Sequence, residues 1–101
     1  MKVDVLHVDG CPSLDPLLRV LRSLIRDHSD ISLPTTLVGS NQDAQRLGFH
    51  GSPTILIDGH DPFPWHDERI GLSCRVYADA EGRMAGLPSR EMLAQVLRIL
   101  P

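Results

Sequence analysis

The residues of this sequence most able to do chemistry are two thiols, Cys11 in "VDGCPSLDP" and Cys74 in "CRVYAD". A thiol acts as a nucleophile only when it is a thiolate. Cys11 is followed by Pro12 at a point where a strand gives way to a helix, and a helix N-terminus offers partial positive charge and free N–H groups that favour a thiolate. A dithiol C-x-x-C pair would need its second cysteine at position 14, which is Leu14. The dithiol route through that spacing is therefore excluded. Monothiol exchange remains: attack on a disulfide, with a small thiol completing the cycle. No phosphate-cradling glycine loop, Ser-His-Asp array or nucleotide motif competes with this reading.

These residues have to be positioned by regular elements. "KVDVLHV", Lys2 to Val8, is valine-rich and ends in "DG", the pattern of a buried strand. Leu14, Leu17, Leu18, Leu21, Leu24 and Ile25 recur at spacings of three and four, which predicts a helix. Either Cys11 or Ser13 can cap it. Ser13 is preferred, because Pro16 then falls in the first turn, where its missing N–H costs nothing.

"ISLPTTLV", Ile31 to Val38, predicts a second strand with an edge or irregularity at Pro34. "SNQDAQRLG" predicts a short helix capped by Ser40 and closed at Gly48. "TILID", Thr54 to Asp58, and "CRVYAD", closed by the turn "DAEG", predict a third and a fourth strand. Ser89 caps a last helix with Met92, Leu93, Val96, Leu97 and Leu100 on its apolar face. The order βαβαββα implies a sheet with helices packed on it.

Composition sets the bounds. A length of 101 residues fits one domain, 1–101, without repeats or a linker. A net charge of −3 gives no reason to expect a nucleic-acid partner, and the row Arg19, Arg22, Arg26 reads as a solvated helix face. There is no apolar run of membrane-spanning length. "MKVDVLHVDG", interrupted by Asp4 and Asp9, is a poor signal peptide. With only two cysteines there is no disulfide framework, so a cytoplasmic protein is expected.

Two motifs in this order carry a resemblance: "GCP", Gly10 to Pro12, between the first strand and helix, and "GFHGSPTILIDG", Gly48 to Gly59. Together they resemble the thioredoxin-like superfamily of thioredoxins, glutaredoxins and DsbA-like proteins, over essentially the whole chain. The resemblance implies an α/β thioredoxin-like fold, a central mixed four-stranded sheet flanked by three helices. It implies that Pro53 is a cis-proline beside a nucleophilic Cys11. Pro12, Ser52, Pro53 and Thr54 would then bind substrate, Ser52 offering a backbone edge to an extended thiol substrate. Monothiol glutaredoxins work without a C-x-x-C pair, so the departure at Leu14 is compatible with activity. The implied partner is a protein or small-molecule thiol or disulfide, with neither cofactor nor metal.

Cys74 is the candidate second thiol. On the implied topology, a five-residue third strand runs roughly 16 Å away from Pro53 and Cys74 begins the fourth strand at the far end. A bond to Cys11 needs Cα atoms within about 7 Å, so the two are expected to lie apart. The exception would be a fold-back of the insert 60–73, "HDPFPWHDERIGLS", which stands where a tight turn belongs. It carries Phe63 and Trp65, two of four aromatic residues, and offers a lid, an anchored surface loop or a homodimer contact. His60, His66 and Asp67 lack metal-ligand spacing. His7 reads as a hydrogen-bonded core histidine, and His50 as exposed in the proline loop. Two alternatives stand beside monothiol exchange. One is a soft-metal or organomercurial-handling protein using Cys11, Cys74 and Asp15. The other is a non-catalytic thioredoxin-like binding module.

Overall fold

The computed structural model describes residues 1–65 and 69–100, so the expectations for His66 and Asp67 lie outside the described residues. The central element is β1 (Val3–His7), flanked by β2 (Thr35–Leu37) in parallel and β3 (Thr54–Ile57) in antiparallel. The sheet order is β2-β1-β3. Successive side chains of a strand point to opposite faces, and β1 uses both. Val3 and Val5 pack on α1 (Leu14–Ile25) and α3 (Arg90–Leu97), through Leu17, Leu21, Leu93 and Leu97. Leu6 points the other way, toward Ala44 of α2 (Asn41–Leu47), Phe49 and Val38. A strand buried on both faces explains the near-continuous apolar run of the N-terminal segment. No helix among the described residues is long and apolar enough to cross a membrane.

The helices start and stop where their local chemistry directs. Ser40 Oγ accepts the Asp43 N–H at 3.0 Å, and Gly48 closes α2 in the left-handed region at φ 63°. Ser89 Oγ accepts the Met92 N–H at 3.2 Å. Each such cap stabilises its helix by about 1 kcal/mol. Ser13 stands at the N-cap of α1 but makes no side-chain capping bond, and Pro16 falls in the first turn. Arg98 ends α3 in the left-handed region, so Leu100 lies beyond the helix and is 91% exposed. The inward positions of α3 are Leu93, Ala94 and Leu97.

The β2 region is interrupted as Pro34 predicts. Ser32 makes an isolated bridge with Lys2, and the Pro34 carbonyl accepts the Val5 N–H at 3.0 Å before the strand begins at Thr35.

Among the described residues, the expected four-stranded central sheet is replaced by a three-stranded one and a separate two-stranded hairpin. Of the segment 74–79, the structure makes a strand only of Tyr77–Ala78 (β4), which pairs with β5 (Met84–Ala85) in a separate hairpin. The turn between them is the expected "DAEG", with Gly82 N–H donating to the Asp79 carbonyl at 3.0 Å. The reason is the path of the chain after β3. A tight turn would send the next strand back antiparallel to β3. The longer connection instead carries the chain to the beginning of β3, where Cys74 meets Ser52 in a parallel bridge.

Candidate functional site

β1 ends at His7, β3 begins at Thr54, and Leu6 is paired with Thr54. That register puts the loop after β1, which carries Cys11, and the loop before β3, which carries Pro53, at one end of the sheet. Ser52 joins them: its Oγ accepts the Val8 N–H at 3.1 Å. Gly10, at φ 71°, turns the chain between Val8 and Cys11. Cys11 is half-buried and precedes the N-cap of α1 by two residues, its carbonyl accepting the Leu14 N–H at 3.3 Å. Pro12 is exposed.

The Ser52–Pro53 peptide is cis. Ser52, Pro53 and Thr54 are all buried. The backbone edge of Ser52, expected to be open to a substrate, is occupied by the chain itself. Ser52 N–H donates to the Ser73 carbonyl at 2.7 Å, and Arg75 N–H donates to the Ser52 carbonyl at 3.0 Å. Cys74, between these two, is exposed and lies directly across from Ser52. The expectation that it sits at the far end of β3 is therefore corrected, because the insert folds back. Both cysteines are free thiols.

Four residues that the sequence did not single out hold this arrangement. Arg75 is buried; its Nη1 donates to Asp61 Oδ2 at 2.6 Å and to Thr54 Oγ1 at 3.3 Å. Its Nη2 donates to Asp61 Oδ1 at 3.3 Å and to the Phe63 carbonyl at 3.1 Å. The guanidinium lies over the Tyr77 ring, 4.6 Å from its centroid, a favourable cation–π placement. The Tyr77 hydroxyl donates to the Pro53 carbonyl at 2.6 Å. Burial pushes the Tyr77 phenol above its ordinary range; the Arg75 cation opposes this, and the Asp61 and Cys11 charges add to it.

Gly51 is the fourth. It adopts φ 123°, and a Cβ there would stand 2.9 Å from Arg75 Cβ and 3.0 Å from its backbone nitrogen. Glycine is what lets segment 73–75 come this close. One charged residue in the apolar surroundings of "CRVY" was the available signal for Arg75. The Asp61 turn is local, its Oδ1 accepting the Phe63 N–H at 3.0 Å.

The insert is anchored rather than free along its first half. Phe63 is buried and packs edge-on to Tyr77, with centroids 5.4 Å apart. Trp65 stacks on His50 at 3.8 Å and donates its Nε1–H to Asp61 Oδ2 at 3.1 Å. His50 is accordingly half-buried under the indole, not exposed. His7 is half-buried, with Nδ1 3.2 Å from the Val8 carbonyl. Asp15 is exposed in the first turn of α1. Among the described residues, no group of three His, Cys, Asp or Glu side chains is placed to hold a metal ion, so Cys11, Asp15 and Cys74 are not gathered into one site.

What the arrangement can do is present two free thiols around one proline loop, with the loop's backbone edge already paired. No family model matches the chain, and no curated protein or solved structure does either.

Proposed function

We propose that this chain is a thioredoxin-like protein that carries out monothiol thiol–disulfide exchange, with Cys11 as the nucleophile. The observation that carries the reading is the Ser52 Oγ to Val8 N–H bond of 3.1 Å, which holds the proline loop against the segment leading to Cys11. The position of Cys11 supports it too: the residue is half-buried and stands two residues ahead of the Ser13 N-cap of α1, near the end of the helix whose partial positive charge favours a thiolate.

In the reaction, the Cys11 thiolate attacks one sulfur of a disulfide R–S–S–R′. A Cys11–S–S–R bond forms, and R′S⁻ leaves with the electron pair of the broken bond. A second thiolate then attacks the R sulfur, returning Cys11 to its thiolate and carrying R away as a disulfide. Because both backbone groups of Ser52 are engaged by Ser73 and Arg75, an extended peptide has no edge to pair with there. The substrate that fits is a small-molecule disulfide, or a protein disulfide presented without strand pairing.

The test is reduction of a small mixed disulfide by glutathione. Exchange should depend on Cys11 and fall by at least about 100-fold in Cys11→Ser. Equal turnover by the variant would overturn the reading. The self-paired Ser52 edge favours a second reading, a non-catalytic binding module on the same fold, which predicts no turnover by either protein.

A further inference from the structure

We propose that Cys74 is an internal resolving thiol for Cys11: the mixed disulfide left by the first attack of Cys11 closes onto a second thiol that the insert brings in, beside the external-thiol route. This rests on Cys11 exchanging with disulfides as described above.

Four observations carry it. Leu14 occupies the position three residues after Cys11, so a local resolver is absent from the sequence. Cys74 stands opposite Ser52 in the bridge flanked by the 2.7 Å and 3.0 Å backbone bonds. Adjacent strands lie about 5 Å apart, which sets the distance of Cys74 from the loop that is itself bonded to Val8. Cys74 is an exposed residue, whereas its neighbours Arg75 and Ser52 are buried. Finally, Cys11 lies in a turn outside every strand, next to Gly10, so the movement needed to join the sulfurs falls on a segment that breaks no sheet pairing. Segment 73–75 thus takes the place of an extended substrate at the proline loop, with a cysteine at its centre.

The chemistry balances with glutathione disulfide as oxidant. Cys11 thiolate attacks one glutathione sulfur, forming Cys11–S–S–glutathione and releasing one glutathione thiolate. Cys74 thiolate then attacks the Cys11 sulfur; the Cys11–Cys74 bond forms and the second glutathione leaves as thiolate. Two protein thiols are oxidised, and one glutathione disulfide is reduced to two glutathione thiols.

The experiment treats the reduced full chain, and its Cys74→Ser and Cys74→Ala variants, with glutathione disulfide. Reactions are quenched with acid at intervals, followed by intact-mass analysis and peptide mapping. The wild-type chain should pass through a transient Cys11 adduct to a monomer lighter by two hydrogens, with Cys11 and Cys74 linked in one peptide pair. Both variants should accumulate a Cys11 adduct at least about tenfold longer-lived. A wild-type adduct as durable as that of the variants, or disulfide formed only between two chains, overturns the resolver assignment and leaves exchange at Cys11 standing. No Cys11 adduct in any of the three proteins overturns both readings.

Discussion

Arg75 and Asp61 form an ion pair at 2.6 Å with side chains only 3% and 11% exposed. Asp61 is the second residue of the insert and Arg75 lies two residues beyond its end, so the pair closes the connection on itself beside the proline loop, where Arg75 also bonds Ser52 and Thr54. The Asp61 carboxylate also receives the indole N–H of Trp65, and the Arg75 guanidinium also reaches Thr54 and the Phe63 carbonyl. The return of Cys74 to Ser52 therefore depends on a polar network in which Arg75 is joined to the local 61–65 turn and to Thr54, 12 to 21 residues earlier in the chain. A buried pair of this kind contributes little over a well-packed apolar replacement, but removing one partner strands the other charge.

Asp61→Ala should accordingly destabilise the chain by roughly 3–5 kcal/mol, measured by urea unfolding. The double variant Asp61→Leu, Arg75→Met should recover much of that loss. Trp65 is the sole tryptophan, so its fluorescence reports on the insert directly. In Asp61→Ala its emission should shift toward that of solvated indole below the global transition. A cost under about 1 kcal/mol would mean the pair is solvated like a surface bridge.

Gly51→Ala tests the close approach of segment 73–75. The added methyl meets Arg75 Cβ at 2.9 Å in a backbone region with φ 123°, so both space and conformation oppose it. The expected loss is on the order of 2–4 kcal/mol, combining a strained dihedral with overpacking. Hydrogen exchange should quicken at the Ser52 and Arg75 amides before it does at the β1 amides. Unchanged protection of those two amides would show that the approach tolerates a side chain.

Tyr77 sets an alkaline limit on stability. Its phenol is held protonated above the ordinary range, chiefly by burial. In the unfolded chain it ionises near pH 10. Above that pH the unfolded state has lost a proton that the folded state keeps, so unfolding becomes easier as pH rises. The stabilisation is whole below about pH 10 and declines above it, by at most about 1.4 kcal/mol per pH unit. Tyr77→Phe forfeits the bond to the Pro53 carbonyl, about 1 kcal/mol at neutral pH, and the gap to the wild-type chain should narrow in alkali. As Tyr77 is the sole tyrosine, ultraviolet titration of phenolate reads it alone. A phenol that ionises near pH 10 in the folded chain contradicts this account.

The parts of the fold legible in the sequence are those whose determinants are local. Ser40 with Asp43 and Gly48 bounds α2, and Ser89 bounds the start of α3, because a capping bond spans three residues. The leucine spacing of α1 points four leucines inward without reference to what covers them. Pro34 disturbs β2 because it has no N–H to donate. Leu100 continues the periodicity of α3 in sequence but not in space, since the chain turns left-handed at Arg98. β5 has no signature in the sequence because Met84–Ala85 is two residues long and takes its strand character from Tyr77–Ala78 across the turn.

For the candidate site, the inventory is written in the chain: a cysteine before a helix, the loss of a near second thiol at Leu14, a proline loop ahead of a β-branched strand, and an insert too long for a turn. How these parts meet is a matter of long-range packing. The parallel return of Cys74 to Ser52 follows from pairings between residues such as Asp61 and Arg75 and from the room that Gly51 leaves. Such contacts leave no periodic trace, because each depends on where a long connection ends rather than on the residues beside it. The same physics puts Arg75 inside the molecule, where a charge is tolerated only once the carboxylate, hydroxyl and carbonyl that surround it have been brought together.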